Sequence, residues 1–146
     1  MSFTNPTREQ IGEILEKTGN IAVVGLSDQS DRTSYMVAYA MQLKGYRIIP
    51  VNPVAKDKQI LGEVCYPSLK DIPEPIDIVN VFRRSEYCAE VAQEAADIGA
   101  KVLWLQQGII SDEAAKIAEE NGLTVIMDRC IKVEDSLALG NRDKKE

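Results

Sequence analysis

Residues 21–53 read IAVVGLSDQSDRTSYMVAYAMQLKGYRIIPVNP, and this stretch decides the fold. IAVVGL is too uniformly apolar for a sheet with one wet face, so it reads as a buried parallel strand. The chain turns at Gly25, passes a polar loop, enters a helix over TSYMVAYAMQLKG that ends at Gly45, and returns as the strand YRIIPV. A dinucleotide-binding unit begins this way, yet the second and third glycines of its fingerprint are missing. The loop has the place of a phosphate loop and a different composition.

The same alternation continues outward. IDIVNVF reads as the third strand, KVLWLQ as the fourth and LTVIMD as the fifth. Helices are expected over SEYCAEVAQEAADIGA and SDEAAKIAEENG. In the first of these Ser85 is the expected cap, Tyr87, Val91, Ala95 and Ile98 the inner face, and Gly99 the stop. An extra helix precedes the first strand: Asn5 can cap it, Pro6 suits its first turn, Ile11, Ile14 and Leu15 share a face, and Thr18, Gly19 and Asn20 end it. Short strands separated by helices of this length imply an α/β, Rossmann-like, doubly wound parallel sheet of five strands. In chain order the strands are expected as 3-2-1-4-5, with the topological switch beside the first.

The 146 residues fit one domain, 1–146, with its core over about 7–137 and a charged, frayed tail at 140–146. No apolar run is long enough to span a membrane, and the polar N-terminus MSFTNPTREQ has no signal-peptide stretch, which places the chain in the cytoplasm. A net charge of −6 argues against a nucleic-acid or membrane-surface binder. The three cysteines, Cys65, Cys88 and Cys130, have no metal spacing, and the chain contains no histidine. Zinc and histidine-assisted nucleophiles are therefore not expected.

In such sheets ligands lie outside the carboxyl ends of the strands, at the switch point. Five loops follow from that rule. In the first, GLSDQSDRTSY, Gly25 permits a tight turn, Ser27, Thr33 and Ser34 supply hydroxyls, and Arg32 offers a fork suited to phosphate beside the free N–H groups of the next helix. The plainer reading is a polar turn with Ser34 as a helix cap. The second, VNPVAK, lacks the carboxylate that an NAD ribose requires and holds Asn52, Pro53 and Lys56 instead. That set accepts a phosphorylated ribose, as in CoA or NADP, although Lys56 taken by itself reads first as a solvated lysine of AKDK. In the third loop Phe82 is either core or a flat wall for the ligand. Arg83 and Arg84 precede a helix start, which suits a nearby anion or salt bridges. The fourth offers Gln107 for a ligand amide and Gly108 for close approach, with Trp104 assigned to the core. The fifth sets Asp128, Arg129 and Cys130 together; Cys130 is either a structural thiol or one near the ligand's reactive end, its pKa lowered by Arg129.

With these residues in view, the chain resembles a stand-alone CoA-binding domain, a small family related to the N-terminal domain of the succinyl-CoA synthetase alpha subunit. The resemblance covers about Thr7 to Leu137 and rests on VVGLSD-x3-RTSY, GYRIIPVNP, ILGEVCYPSL, DIVNVFR, KVLWLQQGI and MDRCIK in that order. It implies a CoA-binding Rossmann fold. By resemblance Ser27 falls in the synthetase's pyrophosphate loop and Lys56 matches its CoA-contacting lysine. Gln107 and Gly108 stand where it has E-G-I, and Cys130 where it has the cysteine of G-P-N-C. The loop's second glycine is absent here, and Arg32 is expected to take over its duty toward phosphate. The synthetase's catalytic histidine lies in a second domain with no counterpart in this chain, so binding carries over and ligase activity does not.

The expectation is thus a cytoplasmic CoA or acyl-CoA binding protein without catalysis of its own, acting as a sensor or carrier. A small NADP-dependent reductase is one alternative, weakened by the lack of a histidine or Tyr-x3-Lys proton donor. Redox regulation through a Cys130–CoA mixed disulfide is another. No nucleic-acid or membrane partner is expected; the acidic faces name no protein partner, and a homodimer is left open.

Overall fold

The structure, a computed structural model, describes residues 3–55 and 58–140. A helix α1 (Arg8–Lys17) precedes β1 (Asn20–Val24), α2 (Thr33–Leu43) and β2 (Arg47–Val51). A short hairpin of β3 (Gln59–Ile60) and β4 (Glu63–Val64) follows. The chain continues through β5 (Ile78–Val81), α3 (Cys88–Asp97), β6 (Val102–Leu105), α4 (Asp112–Glu120), β7 (Thr124–Ile126) and α5 (Ile131–Leu139).

The main sheet has five parallel strands, and its α/β class is the one the apolar runs imply. The order differs from expectation. It runs β2-β1-β5-β6-β7, so the third sheet strand lies beside β1 rather than outside β2. Two features account for this. The outer edge of β2 is occupied by Tyr66, whose N–H donates to Pro50 and whose carbonyl accepts from Asn52. The connection 52–77 also holds no α-helix among its described residues and lays Leu69 and Ile76 into the core on the side of α3 and α4. A right-handed crossover on that face must move the opposite way along the sheet from the crossover through α2. The switch point therefore lies between β1 and β5.

One face of the sheet packs Ile11 and Leu15 of α1, Val37 and Met41 of α2 and Ile131 of α5 around Trp104; the other packs Val91, Ala92 and Ala95 of α3 against Ala114 and Ala118 of α4. Trp104 is fully buried, as expected, and donates its indole N–H to the Arg129 carbonyl at 2.9 Å.

Several terminal readings are corrected. Thr7, not Asn5, caps α1, in a reciprocal capping box with Gln10. Asn5 instead docks on the end of β7, donating to the Met127 carbonyl and accepting its N–H, each at 2.9 Å. Ser85 does not cap α3. It lies in a 3-10 turn, Ser85–Tyr87, and accepts from the Ile110 N–H, while Tyr87 is exposed rather than on the inner face. Helix α5 is not expected from the sequence because it buries Glu134 and Asp135, reversing the polarity pattern that signals an amphipathic helix. Asp135 accepts from the Tyr46 hydroxyl and from Lys44 Nζ. Lys56 and tail residues 141–146 lie outside the described residues.

Candidate functional site

The loops at the carboxyl ends of the strands, where the site is expected, are stitched into one rim. Gly25 is the junction of the first three. Its φ of 90° is one that L side chains rarely adopt, and a Cβ would sit 3.1 Å from the Phe82 carbonyl. Its N–H donates to Val51 O at 2.8 Å. Beyond it, the Ser27 N–H donates to the Ser34 hydroxyl and the Gln29 N–H to the Ser27 hydroxyl, both at 3.0 Å. Ser34 is buried and is not the helix cap. That place belongs to Arg32, which makes no side-chain cap bond. The positive end of α2 therefore opens to solvent beside the exposed Arg32 and Thr33.

Asn52 ties the second loop to the first. Its Nδ2 donates to Leu26 O and its Oδ1 accepts the Val54 N–H, each at 3.0 Å. Pro53 is exposed. Lys58, which no sequence motif singles out, reaches back to Asp28 of the first loop at 3.3 Å. Phe82 is half-buried, its ring packed against the α1–α2–α5 core cluster. Arg83 is half-buried with its guanidinium carbon 4.6 Å from the centroid of Tyr87, a cation–π contact that holds it at the rim.

On the far side, Gly108 donates its N–H to Asp128 Oδ1 at 2.8 Å. Its φ is 87° and a Cβ would meet nothing within 4 Å, so this glycine answers to backbone conformation rather than to crowding by the protein. Asp128 itself adopts a φ of 60°. Gln107 is exposed; its neighbour Gln106 is buried and accepts from Asn80 Nδ2 and from the Ile131 N–H, each at 3.3 Å. Those two amides fasten the ends of β5 and β6 to the start of α5. The period of the strands could have found them, because Val102, Trp104 and Gln106 alternate onto one face. Arg129 donates to the Asp128 carbonyl at 2.8 Å. Cys130 is half-buried at the N-cap of α5 and packs against the same cluster as Phe82.

The structure thus brings Gly25, Ser27, Arg32, Thr33, Ser34, Asn52, Pro53, Phe82, Arg83, Gln107, Gly108, Arg129 and Cys130 to one sheet edge. Asn52 and Gly108 bond other loops, and Ser34 accepts from Ser27 within the first. Two hollows of about 600 Å³ lie elsewhere, one between α1 and β7 and one beside α4. Their walls mix Lys17 and Lys116 with Glu13, Asp112, Glu119 and Glu120, whereas the rim carries Arg32, Lys58, Arg83, Arg84 and Arg129 beside Asp28, Asp31 and Asp128.

Comparison with known proteins gives the rim a context. Residues 19–136 match the family model of the CoA binding domain. Uncharacterized protein YneT of Bacillus subtilis (strain 168) is 55% identical over 129 residues, covering 88% of this chain and 94% of YneT. Acetate–CoA ligase [ADP-forming] II of Archaeoglobus fulgidus is 33% identical over 102 residues; the match takes in 68% of this chain but only 15% of that much longer enzyme. Among solved structures, a hypothetical protein from Pyrococcus horikoshii OT3 superposes with a TM-score of 0.88 at 38% identity, over 96% of this chain and 100% of that one.

Proposed function

The chain belongs to the CoA binding domain family, and on that premise we propose that it holds CoA or an acyl-CoA along the carboxyl rim without catalysis from its own residues, as a sensor or carrier. One observation carries the reading. In a chain of net charge −6, hydrogen bonds tie the loops at the carboxyl ends of the strands into a single ledge, and those loops carry Arg32, Lys58, Arg83, Arg84 and Arg129, with Arg32 at the open end of α2.

The α2 N-terminus and Arg32 hold the diphosphate, with Ser27 and Thr33 completing the turn. Asn52 and Pro53 border the adenosine. Lys56 takes the 3′-phosphate, and Lys58, on an exposed pair with Asp28, is the cation next to hand. Phe82 and Gln107 flank the pantetheine arm, and Arg83 lies over Tyr87 beside it. Micromolar binding corresponds to about −8 kcal/mol. Two or three charge-assisted hydrogen bonds at roughly 1.5–3 kcal/mol each supply a large share.

Calorimetric titration with CoA, dephospho-CoA and NADP tests this. The expected order is CoA first, dephospho-CoA at least ten-fold weaker and NADP weaker still. Equal affinity for CoA and dephospho-CoA removes the lysine from the 3′-phosphate; no heat with either removes the CoA reading.

A second reading follows from the cysteines. Cys65 and Cys88 are buried, and burial pushes both thiols up, Cys88 to about 11 against the opposing pull of Arg83. Cys130 alone is half-exposed, and it stands at the rim. We propose that its thiolate attacks the disulfide of oxidised CoA, forming a Cys130–CoA mixed disulfide and releasing one CoA thiolate. Intact mass after incubation with CoA disulfide is expected to rise by one CoA in the wild type and not in Cys130→Ser; an unmodified wild type removes this reading.

A further inference from the structure

Helix α2 presents its outward side to solvent as a neutral apolar stripe. Its sequence, TSYMVAYAMQL, contains no charged residue, whereas α1, α3 and α4 all carry several. A helix apolar all round is ordinarily covered on all sides. Here Val37, Ala38 and Met41 are buried against the sheet, yet Met36, Tyr39 and Leu43 on the other side are 59%, 46% and 61% exposed. On the adjoining α5, Val133 and Leu137 are 47% and 53% exposed, Leu137 along the groove that α5 forms with α1. Helices α2 and α5 are fastened together where Lys44 Nζ reaches Asp135 and Ser136. Apolar side chains of this size offer roughly 150–250 Å² each, so five that are half-exposed present about 500 Å². That is less than the roughly 800 Å² per partner of a standard interface, and the polar residues flanking the stripe would supply the remainder.

We propose that this face is covered by a second copy of the chain, packed across a two-fold axis with α2 antiparallel to its counterpart. Charge selects that occupant. Two molecules of net charge −6 repel over most of their surfaces, and α2 is the helix on which self-contact brings no charged residues together. The residues after Gly140, NRDKKE, are all polar and do not suit the stripe. The spacing fits an isologous contact: with Tyr39 near the axis, Met36 of one copy meets Leu43 of the other, and the reverse contact is identical. Because the interface lies on the outer side of α2, the inference stands apart from the identity of the ligand at the rim.

Sedimentation velocity on the full chain tests it, without and with CoA. The wild type is expected to run at twice its monomer mass, and Met36→Lys and Leu43→Glu, each alone, as monomers with unchanged circular dichroism. Val64→Glu, at an apolar site equally exposed but off the stripe at 53%, should remain a dimer. Mixing Met36→Lys with Leu43→Glu should restore the dimer, because the antiparallel register sets the new lysine opposite the new glutamate. A wild type that stays monomeric at tens of micromolar, a dimer that survives both stripe variants, or a mixture that does not reassociate overturns the proposal.

Discussion

The two ends of the sheet use charge in opposite ways. At the amino end, charged side chains are matched. Lys44 pairs with Asp135 at 2.6 Å, Arg47 with Glu74 at 2.8 Å, and Lys101 with Asp77 at 3.4 Å. At the carboxyl end, Arg32, Arg83 and Arg84 have no carboxylate within salt-bridge distance among the described residues. Arg83 rests on an aromatic ring and Arg129 on a backbone carbonyl. The loops there are held by neutral bonds instead, from Asn52, Ser34 and Gln106. One end is satisfied within the chain; at the other, among the described residues, Lys58 is paired with Asp28 at 3.3 Å, and on the proposed reading Arg32, Arg83 and Arg84 remain for the ligand's anionic groups. Variants at the amino end should therefore lower stability and spare CoA affinity, and variants of the rim cations should do the reverse.

The largest separation is expected at Asp135. Its carboxylate is almost fully buried between the Tyr46 hydroxyl and Lys44 Nζ. Asp135→Ala leaves both partners facing a void, and removal of one member of a buried pair costs about 3 kcal/mol. Urea denaturation should show that loss, while calorimetry on the folded variant should show CoA affinity within two-fold of the wild type. A stability change below 1 kcal/mol, on the order of an exposed pair, would place the amino end in the same class as the rim. Gly25→Ala comes next and is the one rim change that should move both quantities. Alanine at a φ of 90°, with its Cβ 3.1 Å from a carbonyl, costs about 2 kcal/mol and displaces the junction of three loops. Loss of stability with intact CoA binding would mean that the ledge does not depend on this junction.

These two residues also separate what the sequence discloses from what it conceals. Gly25 was legible because a glycine that ends an apolar strand signals a backbone turn that a side chain would obstruct. The strand runs disclosed the class of fold in the same way, and the rule that ligands sit at the carboxyl ends selected the loops. Asp135 was not legible: a carboxylate belongs outside until its partners are known, and those partners, Lys44 and Tyr46, lie some ninety positions away. The strand order escaped for a related reason. Which face a connection crosses depends on where Leu69 and Ile76 find apolar partners, and no local pattern records that. Within each loop, the choice between side chains that hold the loop and side chains left free was equally hidden. Asn52 bonds the first loop, Ser34 holds its own loop through Ser27, Gln106 rather than Gln107 is buried, and Lys58 lies beside the first loop.

Arg32→Ala should weaken CoA binding by roughly ten- to thirty-fold, the equivalent of one charge-assisted hydrogen bond of about 1.5–2 kcal/mol. The exposed side chain caps nothing in the protein, so the urea midpoint should not move. The loss should shrink in high salt, because the contact is between exposed charges. A variant that binds CoA normally would remove Arg32 from the diphosphate and leave the α2 N-terminus to hold it alone.

The smallest effect belongs to Asp77 and appears only as a dependence on pH. Burial tends to raise its pKa, but the N–H groups of Asn20 and Gly19 and the ammonium of Lys101 outweigh that and hold the carboxyl below its ordinary value. The unfolded chain, with an aspartate pKa of about 3.9, then takes up the proton before the folded one does. The contribution is therefore complete above the unfolded value and is lost as pH falls through the folded one. Asp77→Asn should be less stable than the wild type at neutral pH, and the gap should close progressively below about pH 5. The side chain is partly open to solvent, so the gap is modest at its widest. No rim cation pairs with this carboxylate, so CoA affinity at neutral pH should be unchanged in the variant. A gap that stays constant down to about pH 3 would mean that the amino end is held by the geometry of these bonds and not by the charge, and the contrast between the two ends of the sheet would lose its electrostatic basis there.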